Sequence, residues 1–161
     1  MNIKCLFMDV DGTLTDGKLY IGECGEIMKA FSVKDGHGIK HLRSAYGVRP
    51  VVLTGRDSVI VKKRCEELGI VDYHQNVEDK VALIKIYEKD NSPGTFAYVG
   101  DDINDIAAIQ YVNAHGGVTA CPADAALEVK KIVAYVSTCK GGDGAVRDFV
   151  EYLITNCLIA K

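Results

Sequence analysis

The sequence predicts an α/β protein built on a parallel sheet with helices on both faces. Three observations predict it. Short apolar or β-branched runs alternate with helix-period segments throughout the 161 residues, and a strand followed by a helix returns to the sheet in parallel. Hydrophobic residues make up 48% and charged residues 25%, enough for one sizeable core. Three of the apolar runs end in clusters of acids, glycines and hydroxyls, as strands do where an open sheet binds ligand beyond its carboxyl ends.

The elements follow in order. Ile3–Met8 is an apolar run that reads as the first strand, and it closes on Asp9-Val10-Asp11-Gly12-Thr13. Gly17–Phe31 breaks the rhythm, with two short strands, Lys18–Ile21 and Glu26–Phe31, around Gly22-Glu23-Cys24-Gly25, which is a β-hairpin. Gly38–Tyr46 reads as a helix, and Val51–Leu53 as a strand ending in Thr54-Gly55-Arg56-Asp57. In the helix Ser58–Leu68, Val59, Val61, Cys65 and Leu68 mark the apolar face, and Lys62, Lys63, Arg64, Glu66 and Glu67 the charged one. After a short strand comes a helix over Lys80–Lys89. Phe96–Val99 is a strand closing on Gly100-Asp101-Asp102-Ile103-Asn104-Asp105. Ile103–Tyr111 and Ala145–Ile154 are helical, with a weaker strand signal around Ile132–Val136. No repeat, low-complexity tract or linker interrupts the chain, so residues 1–161 are expected to form one domain.

Composition excludes several functions. A net charge of −3 gives no electrostatic footprint for nucleic acid. No apolar run approaches the ~20 residues of a membrane span and no signal-peptide layout opens the chain, so a cytoplasmic location is expected. The six cysteines form no close pair, which points to free, packed thiols rather than zinc or disulfides. His37 and His41 are four apart but lack the acid of a zinc-binding helix and read as surface residues.

The three polar loops would meet at one crevice, with Lys80 opening a helix beside them. Carboxylates of Asp9, Asp11 and Asp101 placed ~4 Å apart would repel by about 4 kcal/mol per pair at an effective dielectric near 20. Such a cluster calls for a cation, and all-oxygen ligands suit Mg2+. Thr54, the amides around Gly55 and Lys80 offer the donors that a phosphate needs. A calcium loop starting at Asp9 fails, because its sixth and twelfth positions are Leu14 and Tyr20 instead of Gly and Glu. Each acid alone could cap a helix or shape a turn. Together and in order, at strand ends, they point to chemistry.

At these residues the chain resembles the haloacid-dehalogenase superfamily of phosphatases: DVDGT at 9–13, Thr54-Gly55, Lys80 and GDDIND at 100–105. The resemblance implies a Rossmann-like fold. It implies that Asp9 is the nucleophile and that Asp11 protonates the leaving alcohol and then activates water. It also implies that Asp9, the carbonyl of Asp11 and Asp101 hold Mg2+, while Thr54 and Lys80 bind the phosphoryl group. No interval between the motifs has room for a cap domain, so covering by neighbouring subunits is expected.

DVDGTLTDGKLYI, KAFSVKDGHGIK, LTGRDSVIVKKRCEELGI and GGDGAVRDFVEYL are further similar to a capless, tetrameric branch, the 3-deoxy-D-manno-octulosonate 8-phosphate (KDO 8-phosphate) phosphatases. That likeness implies a phosphorylated sugar acid as substrate, touched by Asp11, Ser32, Val33, Lys34, Asp35, Gly36, Lys40, Arg56, Arg64 and Lys80. It implies a homo-oligomer, a tetramer. Since the chain has no cap, the hairpin Gly17–Phe31 and the tail Gly141–Arg147 are the two segments that could close a neighbour's crevice, the tail's glycines making it pliable and Arg147 meeting a substrate charge; a glycine turn before the last helix is the other reading of the tail. Asp143 departs from the branch, where Arg is usual. Phosphatases of nine-carbon sugar acids share this frame, and Arg56 favours the eight-carbon substrate. A receiver domain would need adjacent acids after the first strand and an acceptor Asp at the third. A noncatalytic module associated with a sugar-nucleotide enzyme is the other alternative.

Overall fold

The central strands are apolar on both faces, and that decides the architecture, because such strands must be covered twice. The computed structural model describes residues 2–160. The elements run β1 (Cys5–Met8), β2 (Tyr20–Gly22), β3 (Gly25–Met28), α1 (Val33–Tyr46), β4 (Arg49–Leu53), α2 (Val59–Leu68) and β5 (Asp72–His74). They continue with α3 (Lys80–Ile86), β6 (Phe96–Val99), α4 (Ile106–Ala114), β7 (Val118–Cys121), α5 (Leu127–Lys130), β8 (Tyr135–Val136) and α6 (Ala145–Thr155).

Six strands form one sheet in the order β5-β4-β1-β6-β7-β8, and each neighbouring pair is parallel. From β1 the chain steps outward to β4 and β5, then returns across β1 to start again at β6. Connections therefore leave in opposite directions on either side of the β1/β6 pair, which opens a crevice beyond their carboxyl ends. Alternate residues divide between two cores. Leu6, Met8, Val52, Ala97 and Val99 meet α1, α2 and α6. Cys5, Phe7, Val51, Phe96 and Tyr98 meet α3, α4 and α5. Strands β2 and β3 form the separate antiparallel hairpin after β1.

Several elements differ from the sequence expectation for physical reasons. Helix α1 begins at Val33 rather than Gly38, capped by Ser32, whose side chain accepts from the Asp35 amide at 3.4 Å. Gly36 and Gly38 hide that first turn by propensity, yet tertiary packing holds it. Strand β7 lacks a sequence signal, being four residues between Gly116-Gly117 and Pro122. Of the run 132–136, only Tyr135 and Val136 pair. Helix α3 tightens into a 3-10 turn at Tyr87–Lys89, and a 3-10 turn at Ile103–Asp105 precedes α4.

The glycine-rich tail is fixed against its own chain. The Gly142 amide donates to the Thr13 carbonyl at 3.1 Å, and a Cβ on Gly141 would lie 1.9 Å from the Gly12 carbonyl oxygen. Its glycines allow backbone to meet backbone here, so Gly141 and Gly142 are held against Gly12–Asp16.

Candidate active site

Asp9 leaves the end of β1 with its amide still donating to the Val99 carbonyl of β6, at 3.0 Å, so the sheet itself aims its carboxylate into the crevice. Lys80 is the first residue of α3, whose preceding Asp79 caps the helix by accepting from the Ala82 amide at 2.9 Å. The buried Lys80 ammonium donates to Asp9 Oδ1 and to Asp105 Oδ1, both at 2.6 Å. Asp105 is fully enclosed. Its Oδ1 also accepts from the Tyr98 hydroxyl, and its Oδ2 accepts from the amides of Asp101 at 2.9 Å and Asp102 at 3.2 Å. Gly100 is required there, since a Cβ would sit 2.4 Å from the Asp105 carboxyl carbon.

Asp101 completes the group, accepting from the Thr13 hydroxyl at 2.8 Å. Gly12 faces it with φ +96°, and a Cβ would lie 2.0 Å from Asp101 Oδ2, so both backbone and space demand glycine. Carboxylate oxygens of Asp9, Asp101 and Asp105 lie within 4.8 Å of one another. The electrostatics reflect this crowding. Burial and then the Asp105 charge push the Asp9 carboxyl up, with Lys80 opposing. Burial raises Asp101 to about 7, the Thr13 hydrogen bond opposing and the Asp105 and Asp102 charges adding. Burial would lower the Lys80 ammonium, but Asp9 and Asp105 outweigh it and hold it above its ordinary value.

Asp11 points elsewhere. Its carboxylate accepts from Lys29 of the hairpin and lies 3.6 Å from Arg56 Nε. Thr54 is buried at the end of β4, between the His74 carbonyl and the Val77 amide, each at 3.0 Å. Asp9, Asp11, Thr54, Gly55, Arg56 and Asn104 line one open crevice of about 350 Å³. The fold thus gathers Asp9, Asp11, Thr54, Arg56, Lys80 and Asp101 about one place, but Asp105, and not the Asp11 carboxylate expected from the sequence, joins Asp9 and Asp101 in the acidic cluster.

The remaining sequence candidates lie on the α1, α2 and α6 side and do not line that crevice. Ser32, Asp35, Gly36 and Arg64 border a mostly apolar cavity between α1 and α2. Arg64 donates to the Ser32 carbonyl at 3.2 Å and to Glu67 at 2.8 Å. Val33 and Lys40 edge a shallow groove beside Arg64. Lys34 and Arg147 border a depression at the start of α6, where the Arg147 guanidinium is paired with Glu151 at 2.6 Å. Asp35 Oδ1 accepts the Arg147 amide at 2.8 Å.

Sequence reasoning missed Asp105, Tyr98 and Lys29. Asp105 stands in the GDDIND run, and its spacing from Asp101 was the available signal. Tyr98 and Lys29 gave none, since each reads as an ordinary strand or hairpin residue until the chain folds.

Residues 33–113 match the haloacid dehalogenase-like hydrolase family. The 3-deoxy-D-manno-octulosonate 8-phosphate phosphatase of Salmonella typhi is 38% identical over 155 residues, covering 95% of this chain and 80% of the relative. That of Yersinia pestis is 35% identical over 157 residues, with the same coverage. Among solved structures, the cobalt-bound Haemophilus influenzae phosphatase superposes with a TM-score of 0.87 at 37% identity, covering 96% of this chain and 88% of that one. The Moraxella catarrhalis phosphatase, in complex with magnesium, phosphate and KDO, gives 0.87 at 34% identity, with 97% and 89% covered. Likeness in sequence and in backbone runs over nearly the whole length, and on that ground the chain belongs to the haloacid dehalogenase-like hydrolase family.

Proposed function

We propose that this chain, acting as one domain, is a Mg2+-dependent phosphatase that hydrolyses a phosphorylated sugar acid, KDO 8-phosphate, to KDO and inorganic phosphate. The observation that carries the reading is the Asp9 carboxylate, held by Lys80 within the Asp9–Asp101–Asp105 cluster at the crevice floor. The named phosphatases that match over 95% of the chain support the substrate.

The donor set fits magnesium. Oxygens of Asp9 and Asp101 are close together, hard and reluctant to ionise side by side. Asp105 is committed to Lys80, Tyr98 and two amides, so it serves as scaffold. The Asp11 carbonyl has no protein donor among the described residues, which suits it as the third ligand. When bound, the cation neutralises the carboxylates and the transferring phosphoryl oxygens.

Uncatalysed phosphate monoester hydrolysis is so slow that accelerations approach ~10²¹-fold, and no single group supplies that. Asp9 attacks phosphorus, forming an aspartyl-phosphate as the bond to the sugar oxygen breaks. Asp11 gives its proton to that departing oxygen, then takes one from the water that attacks phosphorus and frees Asp9. Thr54, the Gly55 amide and Lys80 hold the phosphoryl oxygens. Arg56, half exposed beside Asp11, faces the sugar acid and its carboxylate.

The site is open, and the hairpin beside it exposes Leu19, Ile21, Ile27 and Met28. That apolar surface supports assembly into a homo-oligomer, a tetramer by likeness to the branch, with hairpins covering the crevices. The test is phosphate release from a panel of phosphorylated sugar acids, ranked by kcat/KM, with and without EDTA. KDO 8-phosphate should rank first, above nine-carbon analogues, and chelation should abolish turnover until Mg2+ is restored. Turnover indifferent to chelator, or no sugar-acid substrate in the panel, defeats the proposal.

A further inference from the structure

The hairpin carries a lysine that the reaction described above does not use. Lys29 follows β3 directly, and its side chain is only 1% exposed although the hairpin around it faces solvent. Its ammonium donates to the Asp11 carboxylate and lies 2.9 Å from Glu26 Oε1. Glu26 Oε2 in turn accepts from the Ser58 hydroxyl, and the Ser58 amide donates to Gln75 Oε1 at 2.7 Å. Ser58 is the N-cap of α2, whose side chain accepts from the Val61 amide. A continuous run of polar contacts thus leads from the loop after β5, through α2 and the hairpin, to Asp11.

A buried ammonium is retained at such a place only when its partners satisfy it. Here two carboxylates take it up, which leaves Lys29 covered and unable to reach a substrate. Asp11, by contrast, faces the open crevice and needs a fixed orientation to deliver a proton to one particular oxygen. Arg56 at 3.6 Å is half exposed and free to turn toward substrate, so it cannot supply that restraint alone. We propose that Lys29, braced by Glu26 and Ser58, is the positioning residue that holds the Asp11 carboxyl toward the leaving oxygen. The hairpin is then part of the catalytic apparatus of its own subunit. This rests on Asp11 being the proton carrier.

The experiment separates leaving groups. KDO 8-phosphate releases an alcohol that must be protonated, whereas p-nitrophenyl phosphate releases a stable anion that needs no proton. Asp11 also serves the later hydrolysis of the aspartyl-phosphate, which is common to both substrates, so the first step is read alone, as the pre-steady-state burst of released KDO or p-nitrophenolate. Lys29→Met should slow the KDO burst by on the order of 10²-fold, while the p-nitrophenolate burst stays within about threefold. Lys29→Arg should restore much of the loss. In an Asp11→Asn background, Lys29→Met should cost nothing further, because the two act through one carboxyl. Equal slowing of both bursts, or an additive loss in the Asp11→Asn background, overturns the proposal. Should Lys29→Met not fold, Glu26→Gln must show the same leaving-group dependence in weaker form, and its absence is equally fatal. Asp11→Asn distinguishes the two levels: if it discriminates between substrates and Lys29→Met does not, only the role of Lys29 falls. If Asp11→Asn itself slows both bursts alike, its assignment as proton donor to the leaving group falls and takes the Lys29 proposal with it.

Discussion

Asp9 and Lys80 meet at 2.6 Å in a place almost without solvent, so one contact serves both chemistry and stability. Removing the Asp9 charge leaves Lys80 still paired with Asp105, and the fold should survive. Asp9→Asn is therefore expected to unfold at close to the native temperature while kcat drops by on the order of 10³-fold or more, as for other lost nucleophiles. Steady-state kinetics beside thermal unfolding checks both halves. Lys80→Met is the opposite case. It strands two buried carboxylates, and breaking a buried pair in this way costs about 3–5 kcal/mol. Urea unfolding should register that loss, and a midpoint equal to the native one would show that the pair contributes nothing. These residues were legible in the sequence, because acids at strand ends have few other reasons to occur together. Lys29 was not, since a lysine on a short hairpin strand looks solvated until Asp11 and Glu26 are seen around it.

At the scale of elements, KDGHG at 34–38 is explained by helix packing. Asp35 is buried in the first turn of α1, yet its carboxylate reaches the start of α6, accepting from the Arg147 amide at 2.8 Å. Gly144 precedes α6 and brings no side chain to cap it, so a residue more than a hundred positions away fills that role. Burial raises the Asp35 carboxyl, against the amides of Arg147, Gly144 and Val146. Gly36 makes room for Arg64, and Gly38 admits α6, whose Arg147 Cα would lie 3.3 Å from a Cβ there. Asp35→Ala should cost about 1–2 kcal/mol, the usual worth of a cap, measured by urea unfolding. A raised KM at unchanged stability would instead return Asp35 to the substrate. Asp148, also in the first turn of α6, ties β8 to it. Burial pushes its carboxyl up, but hydrogen bonds from Ser137, the Thr138 amide and Tyr135 outweigh it and hold it below the ordinary value. A depressed carboxyl stabilises fully above the unfolded pKa near ~3.9 and loses that contribution as pH falls through the folded value. Asp148→Asn should thus flatten the fall in stability on acidification below about pH 4, and an unchanged acid limb would remove Asp148 from that role.

At the scale of the whole molecule, the hairpin gathers four of the exposed large apolar residues in a short stretch of chain. Leu19, Ile21, Ile27 and Met28 are 46%, 60%, 65% and 50% exposed, and all four lie on or beside the two hairpin strands. Burying them between subunits would gain hydrophobic free energy that no intrachain contact supplies. Ile21→Asp with Ile27→Asp should reduce the sedimenting species to a monomer and lower activity at dilute enzyme. A native chain that sediments as a monomer at micromolar concentration would exclude the assembly. The tail is a weaker candidate for closing a neighbour's site, because Gly141 and Gly142 already lie against Gly12–Asp16 of their own chain.

By itself the sequence determined the α/β class, the parallel sheet, the hairpin, and the meeting of Asp9, Asp11, Thr54, Lys80 and Asp101. All of these follow from local pattern and from the rule that strand ends converge. Tertiary structure alone decided what depends on distant partners. It started α1 at Val33, because α6 needed Asp35 as its cap and Gly38 as its point of approach. It made a strand of Val118–Cys121, four residues that no window distinguishes, because β6 offered them an edge. It turned Asp105 from one more acid in a run into the scaffold under Lys80, and it placed Lys29 against Asp11. Such pairings join residues 18 to 112 positions apart, and no periodicity reports them before the chain has closed.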